Sequence, residues 1–168
     1  MRLPHVRPAL APIARPGALA GLALTLALVA VPAAAQQGPG LRAGVSADPS
    51  QFYFGGHYWS APLVDQLRFQ PNLEVGVGND RTLVAANIEF AWRFPLPRSP
   101  WSAYLGGGPA MNIYSYDQGR APRGRDDTEV RGGLNFLVGL ASREGVFFEV
   151  KVGAIDSPGF KFGVGYTF

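Results

Sequence analysis

The last nine residues of the chain alternate between large apolar side chains and small or polar ones. The apolar positions are Phe160, Phe162, Val164, Tyr166 and Phe168, and the positions between them are Lys161, Gly163, Gly165 and Thr167. Because successive side chains of a strand point to opposite faces, this pattern predicts a strand with one apolar face and one polar face. A soluble sheet with one buried face produces the same alternation, so the pattern alone does not say which face lies inside.

Eight segments with this kind of alternation follow one another along the chain. They are Leu41–Ser46, Phe52–Trp59, Leu67–Gly78, Thr82–Phe94, Trp101–Tyr114, Val130–Ala141, Val146–Ala154 and Phe160–Phe168. Most are close to the ~9–11 residues that a tilted membrane-spanning strand requires. Pro71 falls in the apolar row of the third segment, and we expect the regular ladder there to begin after it.

The N-terminus has the three parts of a secretory signal peptide. Arg2, Arg7 and Arg15 supply a basic region, an uncharged run covers residues 17–31, and Ala33-Ala34-Ala35 provides small residues for cleavage. The apolar run is shorter than the ~20 residues of a membrane helix, although an uncleaved anchor helix is the alternative. We therefore expect a signal peptide at residues 1–35 and one domain at residues 36–168.

Export and the alternating segments together predict an all-β fold, an eight-stranded antiparallel up-and-down β-barrel in the bacterial outer membrane. No apolar run after residue 35 is long enough for a membrane helix. A closed barrel is then the remaining way to pair every backbone polar group within a bilayer. An even number of strands places both termini on the periplasmic side of the membrane. We therefore expect the loop Asp117–Asp127 to be extracellular and the proline-rich turn at residues 95–100 to be periplasmic.

The charge balance gives no sign of a nucleic-acid partner. Three of the 15 basic residues and none of the 12 acidic ones fall in residues 1–35, so the remainder carries 12 of each. There is no cysteine, which excludes disulfides and thiol chemistry. His57 is the only histidine after residue 35, so no histidine cluster for a metal exists there. We expect no cofactor and no metal.

Charged residues of both signs occupy the polar faces of the predicted strands. They are Arg68, Glu74, Glu89, Arg93, Arg131, Glu149, Lys151 and Lys161. The interior of an eight-stranded barrel is just wide enough for side chains to fill, and buried charges there must be paired. We interpret this set as a filled interior polar network. The alternatives are a narrow passive, porin-like channel along the same residues, and a soluble periplasmic lipocalin-like barrel with its apolar side chains inside.

Two further interpretations concern single residues. Some outer-membrane barrels are esterases with a histidine and a serine on one strand face, but His57 and Ser60 fall on opposite faces, so we expect no enzyme. Aromatic residues near strand ends are typical of the membrane–water boundary. We assign Trp59, Trp92, Phe94, Trp101, Tyr166 and Phe168 to such girdles.

Several short stretches are similar to small outer-membrane barrels of the OmpA/OmpX and opacity-protein type. They are QPNLEVG at residues 70–76, AANIEFAWRFP at 85–95, WSAYLGGG at 101–108 and GYTF at 165–168. The resemblance implies an eight-stranded barrel and a C-terminal assembly signal at Tyr166 and Phe168. It also implies outer-membrane lipids as surroundings, barrel-assembly machinery and periplasmic chaperones as partners during biogenesis, and a monomer. It implies no single activity, because such proteins serve as structural anchors, adhesins, binding surfaces or narrow pores, and no surface ligand follows from it.

Overall fold

The computed structural model of the chain describes residues 37–79, 81–116 and 128–168. The expected signal peptide at residues 1–35 and the loop Asp117–Asp127 lie outside the described residues. Within the described part, the structure contains no helix of the length and hydropathy needed to span a bilayer.

Nine β-strands make up the described part of the chain. They are β1 (Gly38–Ala47), β2 (Gln51–Trp59), β3 (Pro62–Val64), β4 (Leu67–Val77), β5 (Arg81–Pro95), β6 (Trp101–Tyr116), β7 (Thr128–Ser142), β8 (Val146–Ala154) and β9 (Phe160–Thr167). Every segment predicted as a strand is one, and most extend by a residue or more beyond the predicted ends. The short strand β3 has no counterpart in the prediction, since three residues are too few to show a period.

Eight of these strands close into a ring, which confirms the predicted antiparallel barrel. Neighbours in the ring follow the chain order, β9 pairs with β1, and β2 pairs with β4. Strand β3 is an addition to the edge of β4. The end of the barrel that holds the β2–β4, β5–β6 and β7–β8 connections, the start of β1 and the end of β9 is called the turn end. The opposite end is called the loop end.

The apolar rows face outward and the polar rows face inward, as predicted. On β5, Ile88 is 52% exposed, whereas the next residue, Glu89, is 0% exposed. On β9, Phe162 is 45% exposed and Lys161 is 3% exposed. The structure therefore contradicts the soluble alternative, in which the Phe162 row would line an enclosed cavity.

The expectation that the regular ladder of β4 begins after Pro71 is confirmed for its pairing with β2 and wrong for its pairing with β5. The ladder between β4 and β5 runs without interruption from Leu67 to Val77 and places Pro71 opposite Ile88. The pairing of β4 with β2 ends at Asn72, one residue away. A residue that cannot donate a backbone hydrogen bond is tolerated at a position where one of the two ladders stops.

The strands differ in length around the ring. Strands β5, β6 and β7 contain 15, 16 and 15 residues, whereas β8 and β9 contain nine and eight. The pairing of β7 with β8 begins only at Leu134, so the first six residues of β7 have β6 as their partner but not β8. The wall made by the three longest strands, β5, β6 and β7, is called the tall wall, and at the loop end it extends beyond the end of β8.

Candidate functional site

Six charged side chains meet in the middle of the barrel. Five strands contribute to this central cluster, which consists of Arg42, Glu74, Glu89, Glu149, Lys151 and Lys161. Their side chains are between 0% and 4% exposed. The cluster contains three cations and three carboxylates, so its formal charge is zero when all are ionised.

Glu74 is the acceptor for all three cations of the central cluster. Its Oε1 accepts a hydrogen bond from Arg42 Nη1 at 3.1 Å and one from Lys151 Nζ at 3.2 Å. Its Oε2 accepts a hydrogen bond from Lys161 Nζ at 2.7 Å. Charge-assisted bonds of this kind are short and stronger than neutral ones, and here they offset the cost of burying the ions.

The other two carboxylates complete the set of ion pairs. Lys151 Nζ donates to Glu89 Oε2 at 2.9 Å and lies 3.6 Å from Glu149 Oε1. Arg42 Nη1 also donates to Glu149 Oε1 at 3.1 Å. Lys151 therefore touches all three carboxylates, and each carboxylate contacts at least one cation.

On one side of the cluster, neutral amide side chains contact both carboxylate oxygens of Glu89. Asn72 Nδ2 donates to Glu89 Oε2 at 2.6 Å, and Asn135 Nδ2 lies 3.3 Å from Glu89 Oε1. Asn87 links these two amides, donating to Asn72 at 2.7 Å and accepting from Asn135 at 2.8 Å. These contacts fix the geometry of Glu89, since a fully bonded network has no low-energy rearrangement.

The phenol of Tyr104 closes the opposite side, with its hydroxyl donating to Glu149 Oε2 at 3.0 Å. Large side chains that point into the barrel, such as Tyr104, lie against glycines that are also on the inner face. A methyl group at Gly139 would overlap the Tyr104 ring, and one at Gly165 would overlap the Phe147 ring. Small and large residues thus alternate inside the barrel so that the volume is filled.

Of the eight charged residues predicted for the interior, the structure brings five into the central cluster. These are Glu74, Glu89, Glu149, Lys151 and Lys161. Arg68 and Arg93 are buried at the turn end instead. Arg131 lies at the loop end, where it pairs with Glu129 at 2.6 Å and Asp156 at 3.5 Å, so its assignment to the same network was wrong.

Arg42 is the cluster member that sequence reasoning missed. Strand β1 was predicted only as the short segment Leu41–Ser46, and the charged set predicted for the interior did not include its arginine. The same alternation places Arg42 on the inner face, where it is 4% exposed. An arginine in the inward phase of a predicted strand is a signal that the sequence already contained.

Trp59 was assigned wrongly to an aromatic girdle. It is 0% exposed and packs inside the barrel, with its ring 5.3 Å from the ring of Tyr104 in an edge contact. The guanidinium carbon of Arg93 lies 4.8 Å from the same indole. By contrast, Trp92, Phe94 and Tyr166 lie on the outer surface, each at least 38% exposed.

His57 and Ser60 do not meet. His57 Nε2 lies 3.0 Å from Thr167 Oγ1, and its ring packs edge-on against Phe147. The Ser60 hydroxyl donates to the carbonyl of Ala61 and accepts from the amide of Phe69. Among the described residues, no group of three or more histidine, cysteine, aspartate or glutamate side chains is arranged to hold a metal ion.

At the loop end, the β8–β9 connection folds across the inner face of the tall wall. Asn112 Nδ2 donates to the carbonyl of Asp156 at 3.0 Å and lies 3.3 Å from the hydroxyl of Ser157. The Arg131 guanidinium lies 5.1 Å from the ring of Tyr114, beside its ion pair with Asp156. Polar contacts thus hold the β8–β9 connection against the inner face of the tall wall.

Comparison with known proteins finds similarity in structure only. No protein-family model and no curated protein matches the chain. The N-terminal β-barrel domain of Pseudomonas aeruginosa OprF is similar with a TM-score of 0.57 and 14% identity, covering 79% of this chain and 98% of that one. Neisserial surface protein A is similar with a TM-score of 0.49 and 17% identity, covering 77% and 94%. The likeness to the OprF domain confirms the fold that the sequence resemblance implied.

Proposed function

We propose that the protein is an exported outer-membrane β-barrel with a structural or surface-interaction role, and that its interior does not conduct. The observation that carries this proposal is that the same barrel has a buried, charge-balanced central cluster inside and an apolar surface outside. Neither feature alone distinguishes a membrane barrel from other β-proteins. Together they invert the arrangement of a soluble protein.

The exterior supports a lipid environment. The outward apolar side chains form a continuous belt around the ring, and members such as Phe54, Leu105, Phe136 and Phe162 are 45% exposed or more. Soluble monomers rarely expose contiguous apolar patches larger than a few hundred Å². A hydrocarbon surrounding removes this cost, and closure of the ring pairs the backbones of neighbouring strands around the barrel.

The interior supports a role without conduction. Glu74, Lys151 and Glu89 are linked by contacts of 2.9 to 3.2 Å across the middle of the barrel. An ion crossing this layer must separate such pairs, and breaking a buried pair costs about 3–5 kcal/mol. The Asn72–Asn87–Asn135 contacts further oppose such a rearrangement.

The loop end offers the chemistry for surface interaction. Arg81 lies against the rings of Tyr114 and Tyr116 at 5.7 and 5.8 Å on the inner face of the tall wall. A cavity of about 400 Å³ opens beside Arg81, between the β1–β2 and β4–β5 connections. Arginine and tyrosine are common among residues that dominate binding at interfaces.

Planar-bilayer recording tests the proposal directly. The unmodified protein, shown to be folded by its shift in mobility between unheated and boiled gel samples, should give no steady current. The double variant Glu89→Ala/Lys151→Ala removes one ion pair from the layer while keeping the charge balance, and it should conduct more readily if the cluster is the barrier. Steady, ion-selective currents through the unmodified barrel would contradict the proposal and favour the narrow channel.

A further inference from the structure

The turn end of the barrel holds a buried cation without a matching carboxylate. Arg93 is 4% exposed, and its guanidinium carbon lies 4.8 Å from the Trp59 ring. Among the described residues no carboxylate contacts Arg93, and its Nε is buried without a hydrogen-bond partner. The central cluster does not compensate it, because the three carboxylates there are matched by three cations.

Two other buried side chains on the inner face also have polar atoms without partners: Trp59, which contacts Arg93, and Gln70, which follows Arg68 along the inner face of β4. Trp59 and Gln70 are both 0% exposed, and the indole Nε1 of Trp59 and the amide nitrogen and oxygen of Gln70 make no hydrogen bond. Buried polar groups are nearly always paired, with protein or with ordered water, and ordered water can also be replaced by a bound polar ligand. Arginine and tryptophan nitrogens are donors only, so the missing partner at those atoms is an acceptor.

A second guanidinium stands next to this site. Arg68 is opposite Ala91 in the β4–β5 register, which makes it the diagonal neighbour of Arg93 on the inner face. Its Nη1 donates to the carbonyl of Ser60 at 2.9 Å, which holds the side chain at the turn end. Ala91, the residue between Glu89 and Arg93 on that face, is small. Arg68 and Arg93 thus bring two positive charges to the inner face of the turn end.

We propose that the turn end of the barrel is a binding site for an oxyanion of the phosphate class, held by Arg93, Arg68, Trp59 and Gln70. The guanidinium plane matches two oxygens of such an anion, and the indole donates to a third. The phosphate can be free in solution or part of a lipid headgroup, since both present the same oxygens. The site depends on the interior contacts alone and not on the role proposed above.

Nuclear magnetic resonance of the folded protein in uncharged maltoside micelles tests the site with inorganic phosphate. Trp59 is the inward indole, while Trp92 and Trp101 lie on the outward row and serve as internal references. Added phosphate should move the Trp59 indole and Arg93 Nε resonances in a saturable way, with chloride at equal ionic strength as the blank. Arg93→Gln should weaken this binding by about tenfold or more, because it removes charge-assisted hydrogen bonds. Arg143→Gln, at an exposed turn on the same end, should leave it unchanged.

A second titration separates the two sources of phosphate. Short-chain phosphatidylglycerol is added to the micelles without inorganic phosphate, and a maltoside lipid of the same chain length is the control. A saturable shift of Trp59 with phosphatidylglycerol alone identifies a lipid headgroup, and a shift with inorganic phosphate identifies the free anion. Either result supports the site. Absence of a saturable shift with both probes, or a shift that survives Arg93→Gln, overturns it.

Thermal unfolding gives a readout that does not depend on resonance assignment. Phosphate should raise the unfolding temperature of the unmodified protein, since a ligand that binds the folded state stabilises it, and it should not raise that of Arg93→Gln. Without phosphate, Arg93→Gln should be at least as stable as the unmodified protein, because it removes an uncompensated buried charge. Marked destabilisation of Arg93→Gln in the absence of phosphate would show that the protein itself already compensates Arg93, and would count against the site.

Discussion

Glu74 is the residue on which the electrostatic balance of the interior depends most. All three cations of the central cluster contact its two oxygens, at 3.1, 3.2 and 2.7 Å. Each of the other two glutamates has fewer cation contacts than Glu74 among the described ion pairs. A single carboxylate therefore holds Arg42 on β1, Lys151 on β8 and Lys161 on β9 at one height in the barrel.

Glu74→Gln should lower the free energy of unfolding by about 3–5 kcal/mol, because it leaves three buried cations with two carboxylates. Urea unfolding of the protein in lipid vesicles measures this change. Glu144→Gln, at an exposed turn residue, is the control and should stay within about 0.5 kcal/mol.

The double variant Glu74→Gln/Lys161→Met tests the balance itself. It restores equal numbers of buried cations and carboxylates, so it should recover part of the stability that Glu74→Gln loses. Equal stability of Glu74→Gln and the unmodified protein would mean that the central cluster is not a coupled network.

At the scale of a strand, β7 shows why glycine is placed where it is. Gly139 faces inward, where an added methyl group would overlap the Tyr104 ring and the carbonyl oxygen of Phe148. Gly132 lies on the outward row of the same strand, where nothing stands within 4 Å of such a methyl group. The two positions occupy opposite faces of the strand, and Gly132 also lies in the part of β7 that does not pair with β8.

Gly139→Ala should therefore destabilise the barrel by about 1–3 kcal/mol, since overpacking a filled interior forces side chains from their preferred rotamers. Gly132→Ala on the same strand should be neutral or slightly stabilising. Urea unfolding of both variants in the same vesicles makes the comparison, and similar losses at the two glycines would speak against a filled interior.

Strand β5 provides the corresponding test of the outer face. Ile88 lies at the centre of β5, points outward and is 52% exposed. In a bilayer, Ile88→Arg should cost about 2–4 kcal/mol, because an arginine on the lipid face near the midplane loses its hydration. The yield of folded protein in lipid vesicles, read from unheated gel samples, should fall. Gln66→Arg, at an exposed position of the β3–β4 turn, should fold as the unmodified chain does; equal folding of both variants would argue against a lipid-facing β5.

At the scale of the whole molecule, one ring of strands separates an apolar outside from a charged inside. Strand β1 closes the ring by pairing with β9, so the barrel is complete only when these two strands have paired. The central cluster has the same dependence, because Lys161 lies on β9 and Arg42 lies on β1. Closure of the backbone and pairing of the charges are thus completed by the same strand.

Export is the prediction that belongs to the whole chain. Protein isolated from the outer membrane of producing cells should begin at Gln36, because Ala33-Ala34-Ala35 has the small residues that signal peptidase requires. Mass spectrometry of the intact protein measures this directly. A mass that includes residues 1–35 would instead indicate an uncleaved anchor.

The sequence by itself determined the strands and their two faces. Alternation with a period of two is a local consequence of strand geometry, so it can be read without knowing any neighbour. It put Ile88 and Phe162 on the apolar faces of their strands and Glu89 and Lys161 on the polar faces, and it separated His57 from Ser60. It carried less information at β1, whose inner residue Arg42 was overlooked, and at β3, which is too short to show a period.

Only the tertiary structure decided which inward residues meet. Contacts across the barrel depend on register and strand tilt, which set the height of each side chain and are not encoded in any one strand. Arg42 and Glu149 are 107 residues apart in the chain and share a hydrogen bond, whereas Arg131 has the same inward phase but lies at another height. Trp59 lies inside the barrel with Arg93 instead of at the membrane boundary, because a residue near a strand end can still face the interior. Its contact with Arg93 depends on the heights of the two side chains in the barrel.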